Sequence, residues 1–240
     1  IGTVCLVLAT VGCSGGGGDS STVSTATSIT SKGTAIDGLL LGSIVCVDVN
    51  KNAKCDAGED TTTTSLTDGT YTLESSQEGP LLLIGGTDES TNEPFSGTLK
   101  APAGSKVITP ITSAIQGLIE NGNSESEAES SIRTAMGLTG VSGKLTDFDP
   151  FEKIENGTPT EKADAKAILA KQTQLQVLVH AASVLIAKSD DTNGTDVSDT
   201  MGNVFKELAK NFDGATGSVE IAEDDVILAT RKAANTVFEK

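Results

Sequence analysis

The residues best placed to do chemistry lie in one stretch, Asp48-Val49-Asn50-Lys51-Asn52-Ala53-Lys54-Cys55-Asp56-Ala57-Gly58-Glu59. Oxygen-bearing groups recur there at alternate positions: Asp48, Asn50, Asn52, the backbone carbonyl of Lys54, Asp56 and, three residues on, Glu59. With Asp48 as the first position they stand first, third, fifth, seventh, ninth and twelfth, the spacing at which a chain curling round Ca²⁺ delivers its ligands. Ca²⁺ is a hard cation that takes about six to eight oxygens, and a carboxylate in the last position can supply two of them. Ala53 stands where Gly is usual, so the sharp turn is less comfortable there. With no ion, the same residues would close as a run of Asx turns, because Asp and Asn bond their own backbone. Six matches in six positions favour the metal.

Cys46 and Cys55 bracket this loop. A disulfide between them would close a ring of about ten residues and contribute roughly 2.5–3 kcal/mol on the chain-entropy estimate. The alternatives are two buried thiols, or bonds to Cys5 and Cys13. A bridge from Cys46 to Cys55 is the reading adopted, and it implies an oxidising compartment.

Other constellations are poorer in parts. The chain has one His, one Tyr and no Trp, so a Ser/His/Asp triad has only His180 to use. Gln176, Val177, Ser183 and Val184 surround His180 at helical spacing and offer no ligand or acid partner, which makes it a structural residue. Asp147, Asp149 and Glu152 resemble a carboxylate pair for glycoside chemistry only in type. Pro150 makes Asp149 a helix cap instead, and no Trp is present to stack a sugar. Seventeen Lys plus Arg against 33 Asp plus Glu give a formal charge of −16, which repels nucleic acid. The expectation is a protein that is not an enzyme, with no catalytic residues.

The elements that position the loop fall into two halves. Residues 1–100 carry four Lys and twelve acids (4 − 12 = −8), and residues 101–240 carry thirteen bases and 21 acids (13 − 21 = −8), so charge does not divide the chain. Composition does: Gly, Thr, Ser and β-branched residues dominate early, while Ala, Lys, Glu and Gln dominate late. A β module followed by helices, an α+β chain, is the simplest reading. Ile44–Val47 is a β-branched strand leading into the loop. After it, Thr61–Ser65 and Thr70–Leu73 form two strands joined at Asp68-Gly69, a hairpin signal, and Leu81–Ile84 is a short buried strand.

Strand, Asp-x-Asn-x-Asn loop ending in Gly-Glu, Thr-rich strand, then Asp-Gly-x-Tyr-x-Leu resembles the prealbumin-like β-sandwich modules of bacterial surface proteins, related to collagen-adhesin B-type repeats. The resemblance spans residues 35–110 at most, with its motif in 44–73, and the loop is of EF-hand type without the helix pair. It implies an antiparallel β-sandwich that serves as a rigid, often calcium-bearing stalk, with Asp48, Asn50, Asn52, Asp56 and Glu59 as ligands.

Before the module, Ile1–Gly12 is uncharged and largely apolar, Cys13 follows, and Gly15–Gly18 is a glycine run. Twelve residues are too few to span a bilayer as a helix, which takes about 20. They fit either the core of an export signal ending at a lipidated Cys13, or a strand of roughly 33 Å that completes a sheet in a neighbouring subunit. Thr10 departs from the Leu usual in lipoprotein signals. Residues 14–34 are assigned to a Gly/Ser/Thr-rich linker, within which 19–34 reads as an extended spacer in preference to a weak edge strand, 35–108 to the calcium-binding β-sandwich, and 109–240 to a bundle of about five helices.

Those helices are signalled by their caps. Thr109-Pro110 opens the first, with Ile111, Ala114, Ile115, Leu118 and Ile119 on one face. Ser124 to Glu127 is a capping box for the second. The longest is expected from Thr158-Pro159 to about Lys188, with Ile168, Leu175, Val179, Ala182 and Ile186 as its seam, widened by Leu169, Leu178 and Leu185. Two more are expected around Val197–Leu208 and Ile227–Phe238.

Together these features predict a non-enzymatic structural protein outside the cell or at the surface of a bacterium. It would self-associate through its amino-terminal strand into a calcium-stabilised filament. The alternative is a surface lipoprotein anchored at Cys13, touching membrane only through that lipid and acting as an adhesin or binding module.

Overall fold

The computed structural model describes residues 28–189, 196–219 and 230–234. In chain order the strands are β1 (Ile29–Ala35), β2 (Leu40–Leu41), β3 (Ile44–Val47), β4 (Thr61–Thr63), β5 (Thr70–Ser75), β6 (Leu81–Ile84), β7 (Thr87–Asp88), β8 (Thr98–Ala101) and β9 (Val107–Ile108). The helices are α1 (Pro110–Glu120), α2 (Glu125–Ala135), α3 (Pro150–Asn156), α4 (Pro159–Ser189) and α5 (Val197–Ala209). A 3₁₀ turn, Lys210–Phe212, follows α5, and residues 230–234 are helical. The α+β arrangement is as expected, with antiparallel sheets first and helices after.

Two main sheets are present, ordered β5-β1-β9 and β4-β3-β6-β8, with a small β2-β7 pair beside them. Pairing is antiparallel except between β1 and β9, where Thr34 faces Val107 and Ala35 faces Ile108 in parallel. In β5 the residues alternate, with Tyr71, Leu73 and Ser75 inward and Thr70, Thr72 and Glu74 outward, the period-two signature of a half-covered sheet. In contrast, β8 is buried at all four positions, because helices cover the face that β5 leaves to water.

Two expectations are corrected here. Residues 29–34, assigned to the linker, belong to β1, which pairs on both sides and is the middle strand of its sheet. Serine and threonine at these positions carry too little apolar signal to be told from a tether, and it is the ladder to β5 that orders them. Nor do Thr61–Ser65 and Thr70–Leu73 form a hairpin: β4 pairs with β3 and β5 with β1, so Asp68-Gly69 arches from one sheet to the other. Asp-Gly specifies a local reversal, not which strands then pair.

Helix α1 is the hub. Pro110 to Leu118 are all buried, and the helix lies against β8, β9, α2, α4 and α5. Thr109 and Thr112 cap each other reciprocally, with Thr112 N–H donating to Thr109 Oγ1 at 3.0 Å and Thr109 N–H to Thr112 Oγ1 at 2.8 Å. The next turn closes the edge of the four-stranded sheet: Lys100 N–H donates to Ser113 Oγ at 2.8 Å, and Thr112 Oγ1 donates to the Lys100 carbonyl at 2.9 Å. Hydroxyls thus satisfy strand groups that would otherwise be buried bare. Gly117 lets α5 approach closely, since a Cβ there would come 3.0 Å from Lys206 Cα. One continuous apolar core runs from Val45, Leu83 and Leu99 through Ile115 and Leu118 to Val179, Phe205 and Ala233.

The helix starts at Thr109, Ser124 and Thr158-Pro159 are those expected. All five seam residues of α4 are buried, but Leu185 is exposed, because only one face of the helix has a neighbour among the described residues. The short α3 starts at the cap expected at Asp149 and adds to the five helices expected. Of the last expected helix, residues 230–234 are helical and the rest lie outside the described residues.

Beneath α1, Lys100 Nζ and Glu120 Oε1 make an ion pair at 2.9 Å, with side chains only 8% and 12% exposed. Breaking such a pair leaves a buried charge without a partner. We expect Lys100→Met to lower stability by roughly 3–5 kcal/mol in urea titrations, and Lys100→Met with Glu120→Leu to recover most of that loss.

Candidate metal centre in the bridged loop

Strand β3 ends at Val47, and the chain leaves it through Asp48, which is fully buried. Burial pushes the Asp48 carboxyl up, opposed by the N–H of Ala53, the Lys100 ammonium and the N–H of Asn52. Its oxygens accept from Asn52 N–H (Oδ1) and Ala53 N–H (Oδ2), both at 3.0 Å, so the first residue of the loop holds the fifth and sixth. Asn50 Oδ1 and Asn52 Oδ1 accept from the backbone N–H two residues on, at 3.0 and 2.8 Å. Their amides point the other way: Asn50 Nδ2 and Asn52 Nδ2 both donate to Asp56 Oδ2 at 2.7 Å. Those two donors hold the Asp56 carboxyl below the usual range. Glu59 folds back, its Oε1 accepting from Val49 N–H at 2.8 Å and its Oε2 from Asp56 N–H at 3.0 Å.

The side chains of Asp48, Asn50, Asn52, Asp56 and Glu59 therefore belong to one bonded ring. Their carboxylates are satisfied by loop N–H groups, and the amide hydrogens of Asn50 and Asn52 lie on Asp56 as a cation would. Among the described residues, no group of three or more His, Cys, Asp or Glu side chains gathers as a metal cluster. The donor set is hard and oxygen-rich, with two amides and three carboxylates, which fits Ca²⁺ better than a softer metal. Lys54 contributes its N–H to Asn52, and its carbonyl remains a candidate ligand from sequence. Ala53 and Lys51 adopt φ values of 63° and 60°, so the turn that favours Gly is made by residues that pay about 1–2 kcal/mol each for it.

Cys46 and Cys55 are joined, with Cα atoms 5.8 Å apart. The bridge ties the loop to β3 beside the ring of hydrogen bonds. Cys5 and Cys13 lie outside the described residues, as does the whole of 1–27.

Elsewhere, the carboxylates weighed for glycoside chemistry have structural partners. Asp149 Oδ1 accepts from Phe151 and Glu152 N–H, both at 3.0 Å, and Asp147 pairs with Lys106 at 3.0 Å. His180 is exposed on α4. A groove of about 600 Å³, lined by Met136, Val177, Leu178, Phe212 and Val219 with Lys171 at its side, was not visible in the sequence, because it forms between α2, α4 and the chain after α5. No described helix is long and apolar enough to cross a membrane.

Sequence reasoning also missed a second acidic contact. Asp37 sits in the tight turn between Ile36 and Leu39, and Asp88 lies over Gly38 of the same turn. Burial, and then the charge of Asp88, push the Asp37 carboxyl up to about 8. No local motif could have signalled it, since the two residues meet only when β2 pairs with β7.

Comparison with protein-family models, with curated proteins and with solved structures finds no match. The chain's reading therefore rests on its own chemistry.

The raised Asp37 has a definite sign. Below its ordinary value of 3.8 both folded and unfolded chains hold the proton. From there to about 8 the folded chain keeps a proton that the unfolded chain has lost, so this group makes stability fall as pH rises. We expect Asp37→Asn to flatten that decline in urea titrations between about pH 5 and 8, while parallel curves for the two proteins would remove the assignment.

Proposed function

We propose that the protein is a non-enzymatic, exported structural module that holds a Ca²⁺ ion in the loop from Asp48 to Glu59. The observation that supports this reading is that the side chains of Asp48, Asn50, Asn52, Asp56 and Glu59 are hydrogen-bonded within one short loop clasped by the Cys46–Cys55 bridge. A disulfide persists outside the reducing cytosol, which favours export. Asp48, Asn50, Asn52, Asp56, Glu59 and the Lys54 carbonyl would hold the ion. Its effect would be structural: it would take over the negative charge that loop N–H groups now share, and it would bind the folded chain far better than the unfolded one. The resemblance to prealbumin-like modules of bacterial surface proteins points the same way, towards a rigid building block at a cell surface.

For its attachment, a strand donated by the amino-terminal segment to a neighbouring subunit is the first reading, and a lipid anchor at Cys13 the second. A donated strand needs an open edge on its acceptor. Here α1 hydroxyls close β8 and the Thr146 carbonyl takes the N–H groups of Lys106 and Val107 beside β9, while among the described residues β4 and β5 are outer strands of their sheets and leave an edge that a donated strand could use. Mass spectrometry of the native protein is expected to find polymeric chains with an unmodified Cys13, whereas a diacylated Cys13 as the mature first residue would put the lipid anchor in first place.

For the ion, Ca²⁺ at about 100 times its dissociation constant should add about 2.7 kcal/mol of stability, read as a rise in Tm that chelator reverses. Asp48→Ala should abolish the response. Identical melting of the wild-type chain with Ca²⁺ and with chelator would end the calcium reading.

A further inference from the structure

The bridged loop does more than close on itself, because it is seated on helix α5. Asp199 and Gly202 lie three residues apart and so share one face of that helix. Lys54 Nζ stands 3.6 Å from Asp199 Oδ1. Gly202 has no side chain at the point of contact: a Cβ there would come 3.3 Å from Lys100 Cε and 3.8 Å from Ala53 Cβ. The exposed Lys54–Asp199 pair is a weak tie. Register comes instead from the close approach of Ala53 and the Lys100 stem to the bare helix backbone.

Ala53 is itself held from two sides. Its N–H donates to Asp48 Oδ2, and Cys55, two residues on, is bonded to Cys46 in β3. The adjoining faces of α5 bury Met201, Val204, Phe205 and Leu208 in the common core. The helix is thus gripped between the core and a loop whose height above β3 the disulfide sets.

We propose that the Cys46–Cys55 bridge is a redox-sensitive latch for α5: opening it frees the helix from β8 before the rest of the fold gives way. The chemistry is thiol–disulfide exchange. A thiolate of a dithiol attacks one sulfur of the bridge, forming a mixed disulfide and expelling the other cysteine as thiolate. The second thiol of the reagent then displaces the remaining cysteine, so the reagent leaves as a cyclic disulfide and the protein gains two thiols. No bound ion is needed for this coupling, so it stands or falls independently of the calcium reading.

The test is hydrogen exchange on the full chain, comparing the oxidised protein with the Cys46→Ser/Cys55→Ser variant, which lacks the bridge without exposure to reductant. Amides of Val197–Ala209 are expected to exchange about tenfold faster or more, with those of Pro150–Asn156 unchanged. Acceleration confined to residues 48–60, or spread evenly over every helix, would overturn the proposal.

Coupling must also run backwards. In Gly202→Leu the new side chain presses on Ala53 and the Lys100 stem, so in a dithiothreitol redox buffer the equilibrium ratio of dithiol to bridged protein should rise severalfold over the wild-type chain. Gly202→Ala, whose methyl meets the flexible end of Lys100 at 3.3 Å and Ala53 Cβ at 3.8 Å, keeps the test usable if the larger residue prevents folding, and should show a smaller increase. Dithiol-to-bridge ratios equal to wild type in the folded variants would contradict the latch.

Discussion

The structure depends on the satisfaction of buried polar groups along the seam where β8 meets the helices. An outer strand of four fully buried residues is unstable unless its free N–H and C=O groups find partners, because each bare group costs about 1–3 kcal/mol. Thr112 and Ser113 provide those partners for Lys100, and Glu120 at the other end of the same helix pairs with its ammonium. Every contact is made from one face of α1, so the helix cannot slide along the sheet without losing all of them together. That fixes the sheet–helix geometry, and α2, α4 and α5 then pack on the remaining surface of α1.

The loop inherits its rigidity from this seam. Lys100 reaches from β8 towards both Glu120 and the underside of the loop, where its charge acts on Asp48 and its stem touches the space left by Gly202. Above it, short hydrogen bonds and the disulfide restrict the twelve-residue turn from within. The positive φ of Ala53 and Lys51 is local strain tolerated because the surroundings over-determine the loop.

Much of the loop's local structure was legible before any coordinates. Alternating oxygens at Asp48, Asn50 and Asn52, with Cys46 and Cys55 on either side, are local in sequence, and a loop that bonds to itself needs little else. Helix boundaries were legible for the same reason, as Thr109, Ser124 and Thr158 act on N–H groups only two or three residues away. What failed was pairing. The Asp68-Gly69 turn was visible, but the partners of β4 and β5 lie in strands on opposite sides of the core. The apparent tether at 29–34 became a central strand only because β5 and β9 flank it.

By itself, then, the sequence determined the order of elements, the caps and the chemistry of the loop, since each follows from residues within one turn of chain. Tertiary structure alone decided that the two halves share a core, that α1 seals β8, that Asp37 meets Asp88 and that α5 carries the loop. These depend on side chains from distant segments filling the same small volume, and a linear pattern of apolar and polar residues records which faces are buried but not what they are buried against.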